Sequence, residues 1–281
     1  MCGTRRDRNA RILHSAIVTG RAAIHDGIEG ATRPPRALRW PSMVRSTTAP
    51  IFGRDVPDAA WRPSPEHMRD SRLARLLRRL DLPDLEALQA RAVADPAWFW
   101  AAAADDLELP WQRRPTQTMD VARGMEWATW WGGGAFNWAQ AATDPRAARD
   151  PAGPVLIWEG EDGAGRRLTN ADLKAAVDRA AAMLAREGVR EGDRVGVFLP
   201  MLPETAIAVL ALGRLRAIYT PVFSGYGAGA VAARLNDCEA SLLITADGFY
   251  RRGSVVPLKE TADGALAGAP TVTNALVVRR H

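Results

Sequence analysis

The fold is decided by residues 192–204, which read GDRVGVFLPMLPE. A Gly-Asp turn signal opens the segment, and a short apolar run rich in valine follows it, as is typical of a buried strand. The pair Pro203-Glu204 then resembles a helix start, because proline is tolerated in the first turn and an acidic side chain complements the helix dipole. The segment therefore predicts a turn, a strand over 194–199 and a helix from 203 to about 216.

The alternation of strand and helix continues on both sides of this segment. In chain order we predict a buried strand at 155–158, a helix capped by Thr169 and Asp172 that ends at Gly188, the strand and helix above, a strand at 218–222, a helix at 228–238, a strand at 241–245, a loop, a helix at 259–267 and a strand at 275–278. Such alternation is typical of a parallel sheet with right-handed crossovers, so the fold class is α/β. Ligands bind at the carboxyl ends of such strands, which favours the loops 200–204, 223–227 and 247–254.

Residues 61–150 have a different character, with helix caps and dense tryptophan. We predict one helix from the Ser64 cap through a stripe ending at Leu80, a second over 84–94 with Leu85, Leu88 and Val93 facing inward, and a third that opens at Asp95-Pro96. The seven tryptophans at 98, 100, 111, 127, 130, 131 and 138 suggest one packed aromatic layer in a core. Base stacking or a cation cage is the alternative, but no basic residues interleave with these rings in the groove-like pattern that such a site would need. The proline-rich run 144–154 indicates a linker.

Charge, hydropathy and the Cys and His content of the sequence argue against several classes of function. The 281 residues have a net charge of +5, but nine Arg against three acidic residues lie in residues 1–50, so the rest is near neutral and a nucleic-acid partner is not expected. We expect residues 1–57 to be a disordered basic extension. No segment has the roughly 20 apolar residues of a membrane span. The two cysteines are far apart and the four histidines have no metal-ligand spacing, which favours a reducing cytoplasm and no metal site.

Eight short motifs occur in an order that resembles the AMP-forming acyl-CoA synthetases, within the adenylate-forming ligases, and specifically the acetyl-CoA synthetase type. They are Trp131-x-Gly133-Gly134-x-x-Asn137, IWEGE at 157–161, Arg167-Leu168-Thr169, GDRV at 192–195, LPM at 199–201 with Pro203-Glu204, VFSGY at 222–226, RLND at 234–237 and ITADG at 244–248. Each is weak alone, but together they extend over roughly residues 61–280.

The resemblance implies a two-step reaction in which a carboxylate and ATP give an acyl-adenylate and pyrophosphate, and CoA then displaces AMP. It implies a helical, Trp-rich N-terminal arm followed by the first parallel βα units of a large N-terminal domain, here incomplete. The expected domains are 1–57 as the extension, 58–150 as the arm and 151–281 as the first part of the ligase domain. The expected substrates are a short-chain carboxylate, by default acetate, with CoA and ATP-Mg.

The resemblance also implies a site for CoA. The loop after the Ile-Thr-Ala-Asp strand would contact the CoA nucleotide, and a glycine-containing turn would lie beside the CoA channel. The residues are Arg251, Arg252, Gly253 and Ser254 for CoA, with Gly225 and Tyr226 near the channel. Two guanidiniums beside a glycine suit a phosphate, because arginine binds phosphate with fork geometry and glycine lets backbone N–H groups approach. Two solvated surface arginines are the alternative.

Several family motifs are missing from these residues, among them the phosphate loop and the catalytic lysine segment. The loop Gly225-x-Gly227-x-Gly229 has no lysine and cannot replace a phosphate loop. We therefore assign no catalytic residue and expect the N-terminal part of an acetate-CoA ligase-like enzyme that is inactive alone. The alternatives are a non-catalytic CoA-binding or partner-binding module, and a fragment that associates with the missing C-terminal portion or a paralogue.

Overall fold

The computed structural model describes residues 61–280, and the predicted extension at 1–57 lies outside them. The described residues fall into two compact units. One contains residues 61–109 and Gln117–Gly132, and the other contains Pro110–Thr116 and residues 133–280. No helix within residues 61–280 is long and apolar enough to cross a membrane.

The first unit, here the tryptophan unit, is built mainly from short capped helices. Its elements are α1 (Pro65–Asp70), α2 (Arg72–Arg79), α3 (Leu85–Ala94), α4 (Pro96–Asp106) and the antiparallel pair β1 (Gln117–Asp120) and β2 (Thr129–Gly132). The caps are as predicted, since Ser64, Asp84 and Asp95 each accept a hydrogen bond from a backbone N–H three residues on. The single predicted helix from Ser64 to Leu80 is wrong, because Ser71 is extended and caps α2 through the Ala74 N–H.

The tryptophan unit buries few side chains. Leu88 is buried as predicted, but Leu85 and Val93 are 45% and 81% exposed, which corrects the prediction that all three face inward. The single packed aromatic layer is also wrong in this unit. Trp100 and Trp130 meet edge-on with ring centres 6.3 Å apart, but the two residues are 48% and 41% exposed. The rings of this unit therefore contact one another without forming a buried layer.

The second unit, here the sheet unit, contains a four-stranded parallel sheet. Its elements are α5 (Trp138–Arg149), β3 (Pro154–Glu159), β4 (Gly165–Thr169), α6 (Asn170–Arg186), β5 (Arg194–Phe198), α7 (Pro203–Arg214), β6 (Ile218–Pro221), α8 (Ala228–Asp237), β7 (Leu242–Ala246), β8 (Phe249–Arg251), β9 (Ser254–Val256), α9 (Leu258–Leu266) and β10 (Asn274–Val278). The strand order is β10-β7-β5-β6 and every pair is parallel, as the alternation predicts. Helices α6 and α7 pack together, and so do α8 and α9.

The core of the sheet unit is continuous through the central strands. Val195, Phe198 and Leu243 are fully buried. Gly196 occupies the middle of β5, where a Cβ atom would lie 2.4 Å from the Leu235 side chain of α8. Glycine is required there because it lets the helix approach the strand closely.

Three parts of the sheet unit differ from the predictions. The strand at 155–158 is not buried and does not join the parallel sheet, since β3 pairs antiparallel with β4 and Ile157 is 68% exposed. The predicted linker at 144–154 is largely helical, because α5 is capped by Asn137 and continues through Pro145 to Arg149. The predicted loop after β7 forms the hairpin β8–β9.

Candidate functional site

The carboxyl end of the parallel sheet contains a crevice formed by its topology. Strand β6 lies on one side of β5 and strand β7 on the other, so the chain leaves the sheet in opposite directions at this point. In open α/β sheets such a switch point separates the loops and forms a crevice that can hold a ligand. The three loops predicted to bind ligand all begin here.

A cavity of about 310 Å³ occupies this crevice. It is lined by the hairpin residues Trp158, Glu159, Gly160 and Glu161, by Pro200, Met201 and Leu202 after β5, by Phe223 and Ser224 after β6, by Phe249, Tyr250 and Arg251 of β8, and by Arg280 after β10. Four of these side chains are aromatic and four are charged. The site therefore offers flat apolar walls with a cationic side and an acidic side, which suits a heteroaromatic ring that carries an anionic group.

Arg251 is the predicted site residue that the structure places in the cavity wall. It ends β8 and pairs with Ser254 across a tight hairpin. The turn residues Arg252 and Gly253 have φ values of 52° and 77°, as a two-residue type I′ hairpin turn requires. Arg252, Gly253 and Ser254 are exposed at the hairpin tip and do not line the cavity. Among residues 61–280, Arg251 has no acidic partner.

Gly225 and Tyr226 lie beside the cavity wall rather than in it. Their neighbours Phe223 and Ser224 line the cavity. The Tyr226 ring meets the Phe223 ring edge-on at 5.6 Å and lies 4.3 Å from the guanidinium carbon of Arg234. A Cβ atom at Gly225 would lie 2.5 Å from the Phe223 ring, so glycine is needed for Phe223 to reach its position. The two predicted residues therefore support the wall that Phe223 forms.

Sequence reasoning missed Arg280, the most highly connected side chain at this site. Its guanidinium donates to both carboxylate oxygens of Asp162 at 2.9 and 2.8 Å. The guanidinium also lies over the rings of Trp158 and Tyr250. The Arg280 hydrogen bond holds the pKa of Asp162 below its ordinary value, so the pair is ionised at neutral pH. Its position directly after the last predicted strand was the only signal that could have identified it.

A second cavity of about 200 Å³ lies behind Trp158. Its wall includes Glu204, which is 4% exposed and accepts a hydrogen bond from Arg166. The indole N–H of Trp158 donates to the Met201 carbonyl at 2.7 Å, which fixes the ring between the two cavities. Glu204 lies in the first turn of α7, close to the positive end of the helix dipole. The Arg166–Glu204 ion pair holds β4 against α7.

No cluster of three His, Cys, Asp or Glu side chains suitable for a metal ion occurs within the part of the chain that the structure describes. The larger cavity offers charged and aromatic side chains for recognition of a ligand.

Known proteins resemble the chain over both units. The family described as AMP-binding enzyme matches residues 143–280, and that described as acetyl-coenzyme A synthetase N-terminus matches residues 85–142. The acetyl-coenzyme A synthetase of Gemmatimonas aurantiaca is 43% identical over 206 residues, which cover 69% of this chain and 29% of that protein. The acetyl-coenzyme A synthetase of Streptomyces coelicolor is 42% identical over 191 residues, which cover 68% and 29%.

A solved structure gives the same assignment. The acetoacetyl-CoA synthetase from Streptomyces lividans has a TM-score of 0.74 and 25% identity, covering 79% of this chain and 35% of that one. This chain thus spans about three tenths of the length of the curated relatives. The resemblance drawn from the motifs and the α/β fold class are both confirmed. The chain belongs to the AMP-forming acyl-CoA synthetases and corresponds to the N-terminal portion of an acetyl-CoA synthetase-type ligase.

Proposed function

We propose that this chain supplies the CoA-binding part of an AMP-forming short-chain acyl-CoA synthetase. The overall reaction converts a carboxylate, ATP and CoA into acyl-CoA, AMP and pyrophosphate, with acetate as the default acid. The observation that carries the proposal is the Arg251 guanidinium, which has no acidic partner among residues 61–280 and lies in the wall of an aromatic cavity at the carboxyl end of the sheet. The similarity to acetyl-CoA synthetases supports it.

The cavity chemistry suits the nucleotide part of CoA. An adenine ring can stack on an aromatic wall formed by Trp158, Phe223 or Tyr250, and a phosphate can bind the Arg251 fork. We assign Arg252, Gly253 and Ser254 to the turn that presents Arg251, with their backbone and side-chain donors available to a phosphate at the rim. Gly225 and Tyr226 would shape the CoA channel by supporting Phe223.

We propose that ATP-Mg binding and catalysis depend on residues that are not among these 281. Adenylation requires cationic groups that stabilise charge on the transferring phosphoryl oxygens. The 281 residues contain no phosphate-loop motif for this purpose. We expect the polypeptide to bind CoA but to release no pyrophosphate from ATP and acetate. Measurable turnover in a pyrophosphate-release assay would contradict this division.

Calorimetric titration of CoA into the full chain tests the binding site. We expect saturable binding that Arg251→Ala weakens by about tenfold or more, since a charged hydrogen bond contributes about 1.5–3 kcal/mol. Arg190→Ala is a matched control, because Arg190 is exposed and precedes β5 at the amino end of the sheet, opposite the cavity. Equal loss in both variants, or no binding by the wild type, would refute the proposed site.

A second candidate function is association with the complementary part of a synthetase or with a paralogue. The edge strand β6 favours it, because Ile218 is 54% exposed and Tyr219 is 36% exposed on a strand with one free side in the described sheet. Such an edge can pair with a strand of another chain. Co-purification of tagged full chain with a separately expressed C-terminal portion of a related synthetase tests this function. Retention of the complex by an Ile218→Lys variant would count against this edge as the contact.

We extend the proposal to the domain plan and the location. In that plan residues 1–57 precede an arm at 58–150, and the ligase domain begins at 151 and continues to 281. We propose a cytoplasmic location because ATP, CoA and acetate are available there. Fluorescence microscopy of a C-terminally tagged full chain would test the location.

A further inference from the structure

Arg280 joins two parts of the cavity wall that come from distant segments of the chain. Its guanidinium donates two hydrogen bonds to Asp162 and lies 5.1 and 5.3 Å from the ring centres of Trp158 and Tyr250. The Arg280 and Asp162 side chains are only 18% and 24% exposed, so solvent screens the pair less than an open surface pair. Asp162 and Trp158 belong to the β3–β4 hairpin, whereas Tyr250 belongs to β8. Arg280 therefore ties this hairpin to the carboxyl end of the sheet.

The backbone of Arg280 is also held in place. Its N–H donates to Asp247 Oδ1 at 2.7 Å, and the same oxygen accepts the Gly248 N–H at 2.8 Å. The Asp247 N–H in turn donates to the Val278 carbonyl at 3.0 Å. Asp247 directly follows β7, so the end of one strand fixes the residue that leaves the neighbouring strand. The guanidinium thus extends from a rigid base.

Two roles are open to a guanidinium in this cavity wall, direct contact with an anionic ligand or positioning of the wall. Asp162 already accepts two hydrogen bonds from Arg280 and offsets its charge, whereas Arg251 has no acidic partner among residues 61–280. An incoming phosphate would gain little from Arg280 unless the ion pair with Asp162 broke. The contacts therefore favour Arg251 for direct binding and Arg280 for positioning.

We propose that Arg280 is a positioning residue that holds the β3–β4 hairpin in place as one wall of the 310 Å³ cavity. The hairpin supplies Trp158, Glu159, Gly160 and Glu161 to that wall. The Arg280 attachment therefore acts together with the Trp158–Met201 hydrogen bond and the Arg166–Glu204 pair in setting the position of the aromatic surface relative to Arg251. The inference rests on the proposed CoA site, since CoA is the ligand whose ring and phosphate would span that distance. Arg280 contributes to CoA affinity through Trp158 and the hairpin.

The variant Asp162→Asn distinguishes the two roles, because each role predicts a change of opposite direction in CoA affinity. It keeps the size of the side chain but removes the charge that engages Arg280. If Arg280 positions the hairpin, the looser hairpin should weaken CoA binding about three- to tenfold, the range expected from a partly sheltered ion pair with ring contacts. If Arg280 bound the phosphate directly, the released guanidinium would tighten binding. Calorimetric titration of CoA into the 281-residue chain distinguishes these outcomes.

Hydrogen exchange of the hairpin amides, residues 154–169, provides a second readout. Faster exchange in Asp162→Asn and in Arg280→Ala, with no change in Arg251→Ala, would support a positioning role. Arg280→Lys retains the charge but not the planar guanidinium that lies over the Trp158 and Tyr250 rings, so its CoA affinity should lie between those of the wild type and Arg280→Ala. Glu191→Gln is the matched control, because it breaks the exposed Glu191–Arg216 pair at the amino end of the sheet, opposite the cavity.

The outcomes keep this inference separate from the proposed function. Wild-type chain that does not bind CoA would overturn the CoA site itself. Wild-type binding with unchanged or tighter affinity in Asp162→Asn would overturn the positioning role and leave the CoA site intact. Unchanged hairpin exchange in Arg280→Ala would also overturn the positioning role, whatever the affinity. Weaker binding together with faster hairpin exchange would support both proposals.

Discussion

Both units contain helices with side-chain caps, such as α3 and α6, but the units differ in what their helices bury. In the tryptophan unit, Leu88 and Ala104 are the buried hydrophobic residues among 61–109 and 117–132. In the sheet unit, α6 alone buries seven residues, and α7 also buries seven. Caps set where a helix begins, whereas burial supplies most of the free energy that keeps it folded. The comparison therefore predicts that packing controls stability in the sheet unit and that local signals control it in the tryptophan unit.

The strongest test exchanges leucine for alanine in both units. Leu212 in α7 is fully buried, and we expect Leu212→Ala to lower the free energy of unfolding by about 2–5 kcal/mol through lost burial and a cavity. Leu85 in α3 is 45% exposed, so Leu85→Ala should change it by less than about 0.5 kcal/mol. Urea unfolding followed by circular dichroism measures both. Equal losses of unfolding free energy in Leu212→Ala and Leu85→Ala would contradict the proposed difference between the two units.

A second test asks whether close packing or helix propensity decides the effect of a glycine within the sheet unit. At Gly213 in α7, an added Cβ would lie 2.3 Å from the Trp138 ring, so Gly213→Ala should destabilise by about 1–3 kcal/mol. At Gly229 in α8, no atom lies within 4 Å of an added Cβ. Gly229→Ala should therefore stabilise by up to about 1 kcal/mol through helix propensity. Thermal unfolding measures whether each variant is more or less stable than the wild type. A change of the same sign in Gly213→Ala and Gly229→Ala would contradict the packing argument.

A third test removes one cap from each unit. Asp84 caps α3 through the Ala87 N–H, and Thr169 caps α6 through the Asp172 N–H. Each change to alanine should cost about 1 kcal/mol. In Asp84→Ala the loss should appear as faster amide exchange confined to α3, because that helix has one buried residue. In Thr169→Ala the lost stability should appear as a lower midpoint of global urea unfolding, because α6 unfolds together with the core. A global loss in both variants would argue against independent local signals.

The smallest expected effect is the loss of stability at low pH that comes from Asp172. Hydrogen bonds from Thr169 hold the pKa of Asp172 below its ordinary value of 3.8. A carboxyl group whose folded pKa is depressed stabilises the fold above the unfolded pKa, and that stabilisation is lost as pH falls through the folded pKa. Because Asp172 is largely solvated, we expect its contribution to be a few tenths of a kcal/mol. The stability difference between wild type and Asp172→Asn should be fully present at pH 6 and should shrink as the pH falls below 3.8 and through the folded-state pKa of Asp172. If the stability difference between wild type and Asp172→Asn grew as the pH fell, the Asp172 pKa would be shifted in the opposite direction and the prediction would be wrong.

Local signals explain why much of the sheet unit could be predicted from the sequence. The capping box of Thr169 and Asp172 and the left-handed Gly188 bound α6 as expected. The strand at 194–198 is contiguous and apolar, and it is buried. These features depend on neighbours within a few residues, which a sequence displays directly.

Features that depend on distant partners could not be predicted in the same way. Residues 155–158 are apolar enough for a core strand, but their partner strand β4 contains Arg166 and Arg167 and leads the pair away from the sheet. Of the candidate site, Arg251 could be placed from its motif. The role of Arg280 depends on Asp162, which lies 118 positions earlier, so no local pattern marks it.

That separation has a consequence for the order in which the molecule assembles. The Asp162–Arg280 contact closes a loop that contains all four strands of the parallel sheet. Closing a long flexible loop has a large entropic cost, which falls once the intervening chain has already folded. We therefore expect the sheet to form first and the hairpin to close over it last. The cavity would then be the final part of the sheet unit to acquire its shape, and its appearance during refolding would report completion of that unit.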